Sequence, residues 1–189
     1  MTDKLNQAEQ DILLKIAREA LETSVQAKRL PTIDLSALPK ALQQDGASFV
    51  TLSISGTLRG CIGALEAYQP LARDVQEHAV AAALQDYRFP NVRPAELKNI
   101  EIEVSVLSPR TPLDYNGPDD LINKLRPGVD GVVLQDGPRK ATFLPQVWDQ
   151  LPNPEQFLSQ LSLKMGAPAD IWRKKPLKVN TYQVQEFQE

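Results

Sequence analysis

An α+β fold, with a mainly antiparallel sheet and flanking helices, is what this sequence predicts, and three observations carry the prediction. Apolar residues recur at helical spacing in several segments. In other segments they alternate strictly with polar ones. Two of the apolar runs flank Asp136-Gly137-Pro138-Arg139, a hairpin signal. Strands joined by hairpins and mixed with separate helices belong to this class rather than to a regular βαβ succession. A length of 189 residues suits a single domain over 1–189, or two small lobes sharing a core. It is enough to bury most of the chain's surface without covalent staples.

The elements follow in order. From Asn6, the apolar series Ile12, Leu13, Ile16, Ala17, Ala20, Leu21 predicts a helix running to about Lys28. Pro31 and Pro39 bracket an irregular connection. Val50, Leu52 and Ile54 alternate with Thr51, Ser53 and Ser55, which predicts a half-buried strand over 48–55. Gly56 marks a turn, and a second strand follows from Leu58 to Gly63. Pro70 suits the first turn of a helix whose inner side carries Leu71, Val75, His78, Ala79, Ala82 and Ala83. That helix must end before Phe89-Pro90, because proline pushes its predecessor out of the α region. Ile100, Ile102, Val104 and Val106 give a third strand, and Pro118-Asp119-Asp120 opens a short helix. Residues 131–135 and 140–144 form the second hairpin; Pro154 to Met165 is a helix stopped by Gly166, and Lys178 to Phe187 a last strand.

Composition excludes several classes. A single cysteine allows no intrachain disulfide and fits a reducing, cytoplasmic setting. The opening Met1-Thr2-Asp3-Lys4 leads into a polar helical pattern rather than an apolar signal core. The longest apolar stretch, Ala79 to Leu84, is far too short to span a bilayer, so no membrane association is expected. A net charge of −3 disfavours a general nucleic-acid surface, although Arg173-Lys174-Lys175 is a local basic cluster. One histidine and one cysteine give no zinc spacing, and no P-loop or Rossmann fingerprint is present. No metal is expected, and no cofactor is indicated.

The segment Leu58-Arg59-Gly60-Cys61-Ile62-Gly63 is the candidate functional centre. A loop of Ser55-Gly56-Thr57 would place Ile54 opposite Leu58, Leu52 opposite Gly60 and Val50 opposite Ile62, which keeps the apolar faces matched. Arg59 and Cys61 would then share a face with Thr51 and Ser53. Glycine inside a strand marks close approach by another backbone or by a ligand. A guanidinium beside a thiol favours the reactive thiolate, and arginine suits an anionic group. The blander account is a buried structural cysteine and an arginine paired with a carboxylate. Asp86 falls near a helix C-terminus, where the helix dipole disfavours it, so Arg88, Arg59 or a backbone N–H should hold it. Glu101 and Glu103 share one strand face, as a carboxylate pair or as a solvated surface. His78 is a satisfied core histidine, or a base for Cys61 if its helix crosses that strand.

These residues together resemble the AMMECR domain family, called AmmeMemoRadiSam system protein A in bacteria and archaea. The hexapeptide at 58–63 resembles the family signature. Asp86-Tyr87-Arg88-Phe89-Pro90 is similar to its D-x-R-F-P, and 101–109 to its I-E-V-S-V-L-S-P strand. Pro127 to Gly131, Thr142 to Trp148 and the 157–172 region agree as well, so the resemblance covers nearly the whole chain. Met165 stands where the family usually has alanine, and His78 is not a position that it fixes. The resemblance implies two unequal lobes, the larger holding both termini, with the hexapeptide facing a cleft between them. It implies a Memo-type protein and a radical SAM enzyme as partners, and it fixes no reaction. Two functions are therefore expected in competition. One is an enzyme or enzyme component, with Cys61 as thiolate and Arg59 as anion holder. The other is a non-catalytic module binding a protein segment, a metabolite or, less suitably for an acidic chain, RNA. Leu58, Gly60, Ile62, Gly63, Asp86, Arg88, Glu103 and His78 are the accompanying binding candidates in either case.

Overall fold

A computed structural model of the chain describes residues 4–189. The opening Met1-Thr2-Asp3, read above as no signal core, lies outside them. The regular elements are α1 (Gln7–Val25), α2 (Lys40–Gln43), β1 (Asp45–Ile54), β2 (Thr57–Gly63), β3 (Gln69–Pro70), α3 (Leu71–Leu84), β4 (Ile100–Leu107), β5 (Thr111–Pro112), α4 (Gly117–Lys124), β6 (Gly131–Asp136), β7 (Arg139–Phe143), α5 (Pro154–Lys164), α6 (Ile171–Lys174), β8 (Lys178–Tyr182) and β9 (Val184–Gln188). The α+β expectation holds: the pairings of β1 with β2, β3 and β4 are antiparallel, as are those of β8 with β5 and β6, and of β6 with β7.

The chain divides into two compact units, 1–107 with 185–189, and 108–184. The first holds a sheet in the order β2-β1-β4-β9, with β3 beside the start of β1. Helix α1 starts at a capping box, in which Asn6 and Glu9 satisfy each other's backbone N–H groups. It ends at Val25, earlier than the sequence suggests, and Ala27 takes a left-handed φ of 55°. Leu13, Ala17 and Leu21 of α1 and Val75, Ala79 and Ala82 of α3 pack with Val50, Leu52, Ile102 and Val104 of the sheet into one buried core. The second unit pairs β5-β8-β6-β7. Its core is built on Trp148 and Phe157, whose rings stack with centroids 3.7 Å apart, together with Leu121, Leu134, Leu161 and Trp172.

The expected last strand is two strands. Gln183 interrupts it: its N–H donates to Ser108 Oγ at 2.9 Å, and its carbonyl accepts from Ser108 N at 2.8 Å. Strand β8 before it belongs to one sheet and β9 after it to the other.

The register of the first hairpin corrects the sequence reading. Ile54 pairs with Thr57, so the loop is Ser55-Gly56 alone, with both residues at positive φ (51° and 75°). Such a turn follows the right-handed twist of the two strands, whereas the three-residue loop expected from the sequence satisfies only the match of apolar faces. A bulge restores that match. Ser53 pairs with Leu58 and Leu52 with Gly60, which leaves Arg59 as the extra residue, and beyond it Thr51 pairs with Cys61 and Val50 with Ile62. The expected partnership of Arg59 with Ser53 is therefore not formed, while Cys61 keeps its place opposite Thr51.

Candidate functional site

Strand β2 is the edge of its sheet, so every second residue turns its N–H and C=O away from β1. At Cys61 both groups are taken by the segment that follows α3. The Cys61 N–H donates to Asp86 Oδ2 at 2.9 Å, and Arg88 Nη2 donates to the Cys61 carbonyl at 3.0 Å. Asp86 and Arg88 also bind each other: Arg88 Nε donates to Oδ1 at 2.9 Å, Nη2 to Oδ2 at 2.6 Å, and the Arg88 N–H to Oδ1 at 3.2 Å. This is what holds a carboxylate at the wrong end of a helix, by two of the means the sequence suggests, Arg88 and backbone N–H groups. The Arg88 guanidinium, then burial opposing it, then the N–H groups of Cys61 and Arg88 leave Asp86 far below the usual carboxylate range. Asp86 is 5% exposed, whereas the Arg88 side chain is 46% exposed. The Arg88 pKa is raised, chiefly by Asp86, with the Cys61 thiol among the smaller causes.

The thiol itself stands on the other face of the sheet from the helices. Gly60 presents its face to α3: a Cβ there would lie 2.2 Å from the Ala82 carbonyl oxygen. By strand alternation Cys61 faces away from α3. It is half-buried, and its Sγ accepts a hydrogen bond from Thr51 Oγ1 at 3.3 Å. Gly63 lies under the Phe49 ring, where a Cβ would meet ring carbons at 2.4 Å. Both glycines of the hexapeptide therefore answer to neighbouring protein atoms. Ile62 packs against the helix-side core, and Leu58 is exposed.

Arg59 does not stand free beside the thiol. Its Nε donates to Glu96 Oε1 at 2.8 Å and its Nη2 to Oε2 at 3.3 Å, with the two side chains 13% and 19% exposed. Glu96 lies in the 3₁₀ helix Pro94–Asn99 and also accepts the Arg93 N–H at 2.8 Å. Arg59 first, then that N–H, lower its pKa to about 2. The bulge is what frees Arg59 from pairing and lets it reach this carboxylate.

Glu103 pairs with Thr51 across β4 and β1. It is half-buried, and burial followed by the charge of Glu186 holds its carboxyl above the ordinary range. His78 is 5% exposed and points Nδ1 at Asp74 Oδ2, 3.2 Å away, while Ser48 Oγ donates to the same oxygen at 2.6 Å. Neither His78 Nδ1 nor Asp74 Oδ1 completes a hydrogen bond. Since α3 covers the Gly60 face, the sheet separates His78 from the Cys61 thiol, and the base role weighed for His78 has no geometry behind it. Among the described residues no group of three or more His, Cys, Asp or Glu could hold a metal, and no helix is long and apolar enough to cross a membrane.

The structure thus brings Cys61, Asp86 and Arg88 together and sends Arg59 and His78 elsewhere. The sequence reading places Thr51 on the Cys61 face without its hydrogen bond to the sulfur, and does not mark Glu96, Ser48 or Asp74 as partners. Thr51 is legible as the partner of Cys61 in the expected register, and Asp74 as the i,i+4 neighbour of His78. Nothing in the sequence marked Glu96.

Comparison with known proteins adds the relationship. A family model described as AMMECR1 matches residues 14–187. A protein of Methanothermobacter thermautotrophicus is 39% identical over 98% of this chain and 96% of its own. One from Thermofilum pendens is 37% identical over 98% and 92%. The crystal structure of the uncharacterised protein PH0010 from Pyrococcus horikoshii superposes with a TM-score of 0.82 at 30% identity, covering 99% of this chain and 94% of that one.

Proposed function

The chain belongs to the AMMECR1 family, and from that premise we propose that it is the thiol-bearing component of a cytoplasmic system whose other members are a Memo-type protein and a radical SAM enzyme. In this reading Cys61 is the atom that reacts with or contacts a ligand. Arg88, rather than Arg59, holds an anionic group beside it.

The observation that carries this is the fixing of both main-chain groups of Cys61 by Asp86 and Arg88. An exposed edge can be protected by a lysine or a proline. A buried carboxylate with its arginine, directed at one residue, does more: it immobilises that residue's backbone and so aims its side chain. Exposure points the same way, although each arginine is paired with a carboxylate, Arg59 with Glu96 and Arg88 with Asp86. The Arg59 side chain is largely buried against Glu96, whereas that of Arg88 stays nearly half exposed while it donates to the Cys61 carbonyl. A cation beside a sulfur favours the thiolate, the nucleophilic form.

A second reading, a non-catalytic binding module, has its own support. Tyr87 is 95% exposed between the two clamp residues, and Leu58 is 41% exposed three positions before Cys61. Exposed aromatic and aliphatic side chains around a rigid edge are features of a partner-docking surface.

Alkylation of the native chain by iodoacetamide separates the two. The enzyme reading expects Cys61 to react faster than a small free thiol, Arg88→Ala to slow it, and Cys61→Ser to abolish function in the native host. A rate no faster than a free thiol, with full function in Cys61→Ser, refutes it. Affinity purification of the tagged chain from that host tests the partners; recovery of neither protein counts against the proposed system.

A further inference from the structure

On the helix side of the first unit's sheet a buried carboxylate lacks a counter-charge. Asp74, in the first turn of α3, is fully buried. Its Oδ2 accepts the Ser48 hydroxyl at 2.6 Å, and His78 Nδ1 approaches the same oxygen to 3.2 Å without completing a hydrogen bond. Its Oδ1 has no hydrogen-bond partner, and among the described residues no lysine or arginine pairs with Asp74. Carboxylates are almost never fully buried without such a partner. The dipole of α3 offsets part of the charge but gives Oδ1 no donor. Tyr68, which is 55% exposed, ends the irregular stretch 64–68 between β2 and β3. Its phenol stands beside this carboxylate: burial, then the charge of Asp74, then that of Glu77 raise its pKa. Glu77 is exposed three residues further along α3 and accepts Gln69 Nε2 at 2.7 Å.

We propose that Asp74 Oδ1 and the Tyr68 ring form a second binding site, which takes a primary ammonium group, of a free amine or of a lysine side chain. Tyr68 turns aside to admit the group and then closes its ring over it, while Oδ1 accepts one of its N–H donors. The site lies across the sheet from Cys61 and does not depend on the reading of that residue.

The free groups select that chemistry. A neutral donor would satisfy Oδ1 but leave the buried charge uncompensated. A guanidinium fork matches both oxygens of a carboxylate, and Oδ2 is already taken by Ser48. A metal ion needs further ligands, and among the described residues no group of three His, Cys, Asp or Glu supplies them. An ammonium is a compact cation with three donors, able to use a single oxygen. An aromatic face beside that oxygen adds a cation–π contact, and Glu77 adds a second negative charge at the entrance.

His78 is the chain's only histidine and adjoins Asp74, so its imidazole proton signals report on this site alone. The experiment follows them by NMR in the native full chain, at fixed pH, during titration with methylammonium chloride, Nα-acetyllysine amide, tetramethylammonium chloride and sodium chloride. Methylammonium should shift them saturably, with a Kd on the order of 10–100 mM, as befits so small a ligand. Tetramethylammonium, which carries the charge but no N–H, should bind at least about tenfold more weakly. Asp74→Asn should abolish saturation, and Tyr68→Ala should weaken it by roughly twofold to tenfold. Saturation by both amines supports the shared chemistry; by methylammonium alone, it assigns the site to a free amine, and by acetyllysine amide alone, to a partner's lysine. Saturation by neither overturns the proposal and leaves Oδ1 to a buried water. A response that sodium chloride or tetramethylammonium matches also overturns it, as does an unchanged Kd in folded Asp74→Asn. Thermal melts show whether Asp74→Asn folds. If it does not, Tyr68→Ala at an exposed position decides, and an unchanged Kd there overturns the proposal.

Discussion

Replacing Gly60 with alanine tests whether the hexapeptide's glycines serve the fold or a ligand. The added Cβ would lie 2.2 Å from the Ala82 carbonyl oxygen and 3.1 Å from its carbonyl carbon, where ordinary contact begins at 3.4 Å. Strand β2 and helix α3 would have to part by roughly an ångström. The obstacle is helix backbone, which no rotamer change removes, and Val75, Ala79 and Ala82 pack tightly on the same interface. Overpacking of this kind costs about 1–3 kcal/mol, sometimes more. Alanine recovers about 0.5–1 kcal/mol through its stiffer unfolded chain. A net loss of about 1–2 kcal/mol is expected, which for a chain of this size lowers the melting temperature by about 2–8 °C. Thermal unfolding followed by circular dichroism reads this directly, with urea denaturation as a second measure. A variant melting within about a degree of wild type refutes the reasoning, because Gly60 would then not be required by the approach of α3.

Three further outcomes follow from the same geometry. Ser55→Asn should raise stability by about 0.5 kcal/mol, since asparagine tolerates the positive φ of 51° at that position better than serine; a lowered melting temperature contradicts the turn assignment. Glu96 titrates near pH 2 when folded against 4.5 ordinarily, so its contribution to stability is complete above about 4.5 and is lost as the pH falls to about 2. Glu96→Gln should lower stability at pH 7 and flatten that acid limb in urea titrations at several pH values; an unchanged slope counts against the Arg59–Glu96 pair. Arg59→Ala should cost about 1–3 kcal/mol, because it strands a mostly buried carboxylate. It should leave Cys61 alkylation within about twofold of wild type, and a collapse of alkylation would restore Arg59 to the site.

Much of the architecture is written locally. The Asn6–Glu9 capping box, the apolar stripe of α1, the alternation through β1 and β4, and the turn at Gly137 each depend on neighbours a few residues away, so periodicity and turn chemistry reveal them. The hexapeptide and the Asp86–Arg88 segment are equally visible as unusual stretches. The pairing of Asp86 with Arg88, and the need for a backbone donor at a helix end, follow from the helix dipole alone.

What the sequence by itself determined, then, is the class of fold, the placing of most elements, and the segments worth attention. Tertiary structure decided which of their side chains meet. Two glycine-flanked residues two positions apart looked like neighbours, but a single extra residue in β2 separated them, sending Arg59 to Glu96 and leaving Cys61 opposite Thr51. The bulge is a compromise between strand twist at a two-residue turn and the burial of one apolar face. Neither term is local to the hexapeptide: the first belongs to the paired strands, the second to the helix packed on them. Glu96 lies 37 residues from Arg59 in the chain, and only the folded core brings the two within a hydrogen bond.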